Sequence, residues 1–272
     1  MSPQNRAVIV GPSASGSESV ERVADIWQVA LDQPADVARG CESILCLSES
    51  VRANRYATLQ LRSRFIVGRA SLRSILGRYL TEEAQHISIS ESRYGKPFLS
   101  DHSLSFNVSH SHDRMLCAVT PYGPIGIDIE RISAARDLQG IARRYFAAGE
   151  YRRFEKLRDC DHVRGFYECW TRKEAFIKAT GAGLSQDLKS FEVAFGPGVS
   201  PRILALRHAC DLAADWGLKE IDVGGDFCGA VAYRAPETKI NMRRFEPADE
   251  LKRLKKGSCM TSREAFRDLH HC

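Results

Sequence analysis

Apolar residues recur along this chain with two different periods, and each change of period marks a boundary between elements. In ADIWQVALD (24–32) apolar and polar positions alternate, the spacing of a strand with one face buried. LQLRSRFIVGRASLRSILGRYL (59–80) sets Phe65, Leu72, Ile75, Leu76 and Tyr79 at helical intervals, which predicts a long helix. HISIS (86–90) predicts a short strand and RYGKPF a turn. LSFNVSHSHDRMLCAVT (104–120) reads as strand, polar turn, strand, because Leu104, Phe106 and Val108 alternate with polar neighbours. PYGP (121–124), two prolines around a glycine, predicts a linker. GIDIE (126–130) then starts a new alternating strand, and a long amphipathic helix follows that ends at Thr180, with Gly181 suited to a left-handed cap. Strands are predicted near FEVAF and AVAYR.

Strand, spacer, long helix, strands: the order on one side of PYGP recurs on the other. The echo is of pattern rather than of residue identity, and it predicts an α+β chain of two similar lobes. The expected divisions are a loose leader at 1–21, a first lobe at 22–122, a second lobe at 123–240 and a C-terminal extension at 241–272. The leader carries Gly11, Pro12, Ser13, Ser15, Gly16 and Ser17, too polar to bury enough surface to order itself. In the extension DELKRLKK suits a short basic helix with no assigned activity. His270, His271 and Cys272 are metal-binding types at a chain end, where fraying is the ordinary state.

Composition narrows the class. A chain of 272 residues, 43% hydrophobic and 27% charged, has the make-up of a globular protein with a sizeable core. Charges interrupt every apolar run well short of the ~20 residues a membrane span needs. Ala7 to Val10 is too short for a signal-peptide core, so a cytoplasmic location is expected. The nine cysteines include no CxxC pair, which suits reduced thiols. A net charge of +5 fits an anionic ligand or an acidic protein partner, and no basic stripe interleaved with aromatics suggests nucleic acid. The cluster from Lys252 to Lys256 reads as solvated.

Two stretches carry candidate chemistry. In GIDIE, Asp128 and Glu130 project from one face roughly 6–7 Å apart while Ile127 and Ile129 enter the core. Alone this is what any half-solvated strand looks like. If Glu174 joined them, three carboxylates would repel one another unless a cation compensated, and Mg²⁺ uses a few carboxylates together with water and phosphate oxygens. In WTRKEAFIKATGAGL (170–184), Glu174 and Lys178 share a helix face, and Lys173 lies about 100° round the cylinder. An exposed ion pair there would contribute only a few tenths of a kcal/mol. Trp170, Phe176 and Ile177 flank these charges and point to a helix packed on several sides.

Together the residues resemble a known family. WTRKEAFIKATGAGL is similar to the W-[ST]-x-K-E-[AS]-x-x-K…G-x-G-L signature of 4′-phosphopantetheinyl transferases, and GIDIE to that family's G-[IV]-D-[IV]-E strand. GKPF (95–98) and FNVSHS (106–111) resemble its two upstream motifs, and all four stand in family order. The likeness covers about residues 23 to 235 and points to the longer, single-chain pseudodimeric class. It implies two α+β lobes with coenzyme A in the cleft between them. The implied reaction is transfer of the 4′-phosphopantetheine arm from coenzyme A, the co-substrate, to a serine of an apo acyl or peptidyl carrier protein, releasing 3′,5′-ADP. Such carriers serve fatty-acid, polyketide or nonribosomal-peptide synthesis.

The roles implied follow the matched positions. Asp128, Glu130 and Glu174 correspond to the acidic ligands of Mg²⁺, with water completing the shell beside apolar Ile129. Lys178 corresponds to the lysine on the pyrophosphate, Lys173 to a second phosphate contact, and Lys96 to a residue beside the adenine. Ser109 and His110 fall where the family grips the 3′-phosphate. Arg64 is the matched arginine for the same phosphate, with Arg62 or Arg69 as neighbouring alternatives and Arg52 and Arg55 as looser ones. Glu150, in RYFAAGEYRRF, resembles a glutamate that serves some members as general base; by itself it is equally an ordinary glutamate at a helix start. A monomer is expected, since fused lobes need no partner copy. The rival readings are a coenzyme A-binding protein without turnover and a Mg²⁺-dependent pyrophosphohydrolase.

Overall fold

The computed structural model describes the chain except residues 1–20, 93–94, 102, 135–136, 182, 184–185, 207–211 and 256–272. Most of the expected leader and the terminal His270, His271 and Cys272 therefore lie outside the described residues. Strand β1 (Val23–Ala30) is followed by helices α1 (Ala35–Glu42), α2 (Leu47–Ala53) and α3 (Leu59–Leu80). A hairpin of β2 (Ile89–Glu91) and β3 (Pro97–Leu99) comes next, then β4 (Ser105–Ser111), β5 (Arg114–Thr120) and β6 (Ile125–Arg131). Helices α4 (Leu138–Tyr145), α5 (Ala148–Glu155) and α6 (Asp159–Thr180) lead to β7 (Phe191–Val193), β8 (Ile203–Leu206), β9 (Trp216–Ile221), β10 (Phe227–Arg234) and β11 (Lys239–Phe245). A last helix, α7, spans 247–255.

Two sheets dominate. One has the order β11-β1-β5-β4 and the other β6-β10-β9. Period-two alternation sends each strand's apolar residues to two cores. Ala24 and Ile26 of β1 and Leu116 and Ala118 of β5 meet Ile125, Ile127 and Ile129 of β6 and Val231 and Tyr233 of β10, which joins the sheets face to face. On the outer faces, Trp27, Val29, Met115, Cys117 and Val119 pack with Ile66, Val67 and Ala70 of α3. Cys228, Ala230 and Ala232 pack with Cys169, Phe176 and Ala179 of α6. The layers thus run helix, sheet, sheet, helix, an α+β fold with PYGP passing from β5 of one sheet to β6 of the other.

Both long helices stop where their caps dictate. Thr58 accepts a hydrogen bond from Leu61 N–H at the start of α3. Thr81 and Gly181 end α3 and α6 with left-handed φ of 54° and 72°. Two expectations need correction. The strand predicted over 86–90 begins only at Ile89, and β3 forms where a turn is predicted. Within the expected extension, residues 241–255 belong to the first lobe: β11 pairs in parallel with β1, Phe245 packs edge-on against Trp27, and buried Glu250 of α7 takes Arg78 from α3. Strand β11 and helix α7 thereby close the first lobe, a long-range pairing that no local period encodes.

Candidate functional site at the lobe junction

Strand β6 presents its isoleucines to the inter-sheet core, so Gly126, Asp128 and Glu130 face α6. No side chain fits at 126: a Cβ built there would lie 2.2 Å from both the Ala175 carbonyl oxygen and the Ala179 nitrogen. Glycine lets the helix backbone rest on the strand, and the acids two and four residues on then meet the side chains of α6. Between Thr171 and Ala179 every helix residue is buried except Glu174 and Lys178, one turn apart. Those two look toward the acids of β6.

Lys178 Nζ lies 2.6 Å from Asp128 Oδ1 and 3.0 Å from Ser109 Oγ. The Ser109 hydroxyl donates to Asp128 Oδ1 at 2.8 Å, and that of Ser111 to Glu130 Oε2 at 3.2 Å. Burial raises the Glu174 carboxyl above its ordinary value, and the charges of Asp128 and Glu130 raise it further against the opposing pull of Lys178. The third carboxylate therefore stands within the field of the first two. Asp128 Oδ2 is buried and has no hydrogen-bond partner. Such an orphaned anionic oxygen is costly, and a hard cation satisfies it. Among the described residues no three acidic, histidine or cysteine side chains stand ready in metal-binding geometry; the Lys178 ammonium supplies the counter-charge at Asp128. The donor set, all oxygen and strongly anionic, fits a magnesium-type ion rather than a soft metal.

Cations gather beside the acids. Lys96, from the β2–β3 hairpin, donates its ammonium to the Lys178 carbonyl. Burial and the Lys178 charge hold its pKa below the ordinary lysine value, and no carboxylate pairs with it among the described residues. His110 is exposed, on the face of β4 opposite Ser109. Arg64 grips Asp32 through two bonds of 2.6 and 2.7 Å and feels the charge of Asp113 in the β4–β5 turn. Its neighbour Arg69 is drawn inward to buried Glu49, Arg62 pairs with Glu42, and Arg52 with Glu91. Arg55 helps line a surface hollow with Leu47, Val51 and Tyr56.

Three sequence expectations are corrected here. Lys173 is 0% exposed: its ammonium bonds both carboxylate oxygens of Glu150 at 2.8 and 2.7 Å and the Phe191 carbonyl at 2.8 Å, and it sits over the Phe191 ring. A rotation of about 100° round the helix from Glu174 turns it to the buried side, away from the cleft. Glu150, also 0% exposed, accepts the N–H groups of Val193 and Ala147 as well, so it cannot serve as a base for an incoming hydroxyl. Burial nonetheless pushes its carboxyl up, against Lys173 and those N–H groups. Ser109 is the third: both lone pairs and its hydrogen are engaged within the protein, leaving its side chain no capacity for a phosphate.

The residues the sequence reading passed over are Gly126, Asn107 and Ser111. The glycine stands inside the GIDIE motif, where a strand interior disfavours it, and that misfit was the available signal.

Comparisons with known proteins agree with this arrangement of motifs. Residues 124–232 match the family model described as the 4′-phosphopantetheinyl transferase superfamily. The 4′-phosphopantetheinyl transferase HetI of Nostoc sp. strain PCC 7120 is 36% identical over 211 residues, covering 76% of this chain and 86% of the relative. The 4′-phosphopantetheinyl transferase Sfp of Bacillus subtilis strain 168 is 32% identical over 171 residues, covering 62% of this chain and 75% of the relative. A mouse L-aminoadipate-semialdehyde dehydrogenase-phosphopantetheinyl transferase is 26% identical over 206 residues, covering 70% of this chain and 67% of the relative. With likeness running through both lobes at this level, the chain belongs to the 4′-phosphopantetheinyl transferase superfamily, in its longer single-chain class.

Proposed function

We propose that the lobe junction is where this transferase works, with coenzyme A bound beside α6 and an apo carrier protein presenting its serine to the same cleft. The reaction moves the 4′-phosphopantetheine arm from coenzyme A to the carrier. The observation that carries the assignment to this site is the buried, partnerless Asp128 Oδ2, next to Lys178 and in the field of Glu174. Asp128, Glu130 and Glu174 would hold Mg²⁺, which when bound supplies charge neutralisation for the pyrophosphate.

The chain's own groups do the rest. Lys178 and Lys96, adjacent and cationic, bind the pyrophosphate side of the coenzyme, and exposed His110 faces outward where a further phosphate has access. The serine oxygen forms a bond to the phosphorus nearer the pantetheine arm as the bond to the nucleotide oxygen breaks, and 3′,5′-ADP carries away the electron pair. Lys178 stabilises the charge growing on that leaving phosphate. With Glu150 buried away from the cleft, the serine proton passes to a water of the cleft. Arg64 reaches the 3′-phosphate only by yielding part of its hold on Asp32, an exchange that suits an arginine whose carboxylate partner is exposed.

We read the protein as a monomer of the cytoplasm. Two lobes fused in one chain supply both walls of the cleft, and the described cysteines are unpaired thiols, as a reducing compartment favours. Among the described residues no helix is long and apolar enough to cross a membrane. The test is one incubation of the protein with Mg²⁺, coenzyme A and a panel of apo carriers, read by mass spectrometry. A carrier gaining the phosphopantetheine arm supports the reading. Free phosphopantetheine with unmodified carrier points to hydrolysis, and coenzyme binding with neither product points to an inert binder; each overturns it.

A further inference from the structure

Strands β4 and β6 are the edges of different sheets, and side chains rather than main-chain ladders join them. Asn107 Oδ1 accepts the Ile127 N–H at 2.9 Å, Ser109 Oγ the Ile129 N–H at 3.4 Å, and Ser111 Oγ the Arg131 N–H at 3.0 Å. The partners keep a constant offset of 20 residues, so the three acceptors form one row on one face of β4. Without them the edge of β6 would bury unpaired N–H groups, which is costly.

Stitching alone does not call for serine, because Asn107 stitches as well. What the two serines add is a hydroxyl hydrogen donated to a carboxylate. A hydroxyl has one donor and two acceptor positions. At Ser109 both acceptor positions are taken, by the Ile129 N–H and the Lys178 ammonium, and neither of those groups accepts. The hydrogen is thereby directed at Asp128 Oδ1, 2.8 Å away. Ser111 repeats the device one repeat along, accepting from Arg131 and donating to Glu130 Oε2 at 3.2 Å. Each serine thus grips a β6 backbone N–H and the acid just before it.

We propose that Ser109 and Ser111 are positioning residues, whose hydroxyls hold the Asp128 and Glu130 carboxylates in the orientation in which they receive the metal. The first lobe would then set the aim of ligands carried by the second. This rests on the reading that the acids hold Mg²⁺. A carboxylate already pinned by a donor has less freedom to lose when a cation arrives, and outer groups of this kind typically change metal affinity roughly ten- to hundredfold when removed.

The test is calorimetric titration of Mg²⁺ into the full chain in the presence of coenzyme A, comparing Ser109→Ala, Ser111→Ala and Asn107→Ala with the wild type, alongside thermal melting. Each serine variant is expected to raise the Kd for Mg²⁺ roughly ten- to hundredfold. Asn107→Ala, which removes a stitch but no carboxylate contact, is expected to lower Tm and leave Kd unchanged. If Ser109→Ala does not fold, Ser111→Ala at the strand end decides. Serine variants that bind like the wild type, or that weaken no more than Asn107→Ala, overturn the inference while leaving the metal reading intact. A wild-type protein that takes up no Mg²⁺ removes both.

Discussion

Helices α3 and α6 are both 22 residues long and cover the outer faces of their sheets, yet only one borders the candidate site. They share a buried lock. Arg73 and Lys173 are each the fifteenth residue of their helix, counting from 59 and from 159. Arg73 bonds Glu49 and the carbonyls of Ala84 and Ile87; Lys173 bonds Glu150 and the carbonyl of Phe191. Glu49 and Glu150 in turn occupy the same place, the third residue of a short preceding helix, each accepting an N–H from that helix's cap residue. A device repeated in the lobe without the acids is a framework device, which is why Lys173 and Glu150 are poor candidates for chemistry.

One residue further along, the helices part company. Where α6 has Glu174, α3 has buried Ser74, and where α6 has Lys178, α3 has Arg78, spread over Trp27 and Phe245 and paired with Glu250. The two lobes thus share the buried lock and differ on the helix face beside it, where Glu174 and Lys178 meet the acids of β6.

The sharpest way to break this comparison is Glu174→Gln. Transfer is expected to fall roughly 10²–10³-fold, the scale of losing one group aimed at developing charge, with an unchanged circular dichroism spectrum. Undiminished transfer would detach Glu174 from the site. Next come the locks. Lys173→Met leaves buried Glu150 without its cation and should cost about 3–5 kcal/mol in urea denaturation, whereas Arg73→Met, which leaves Glu49 its bond to Arg69, should cost less. A Lys173 variant of wild-type stability that had lost coenzyme affinity would restore its role as a phosphate contact. Gly126→Ala should cost about 1–3 kcal/mol and lower transfer, because the new methyl must push the α6 backbone off β6. Gly68→Ala in α3 is its control: the added Cβ meets a Leu31 methyl at 3.3 Å, which a side-chain adjustment relieves, so a smaller change in Tm is expected.

The smallest effect is in pH dependence, and its sign differs between the lobes. Burial pushes the Glu49 carboxyl up, but Arg73, Arg69 and the Cys46 N–H outweigh it and hold the pKa below its ordinary value. A depressed carboxyl contributes stability above its unfolded pKa and loses it as pH falls through the folded one. Glu150 lies on the raised side, so its proton linkage runs the other way, favouring the fold less as pH rises through the carboxylate range. Glu49→Gln should therefore flatten the acid limb of the stability profile, measured by denaturation at stepped pH, whereas Glu150→Gln should not. Equal flattening in both variants would contradict the asymmetry.

The sequence by itself determined the principal strands, the two long helices and the family. Period two in 24–32 and 126–130, helical spacing in 59–80 and the glycine cap at 181 all depend on neighbours a few residues apart, and the backbone sterics that enforce them are local. The acids of β6 and the Glu174–Lys178 face were legible for the same reason. Only the tertiary structure decided where each buried polar group found its partner. Lys173 was expected at a phosphate, and that it meets Glu150 instead depends on how α5 and β7 cross α6; the direction of the Ser109 hydroxyl depends on the edge strands β4 and β6 of two sheets coming together; and β11 reaches β1 only because the chain returns to the first lobe. A local period says which face of an element is buried, whereas the choice of partner for a buried charge or hydroxyl is made by whichever distant element supplies the complementary group.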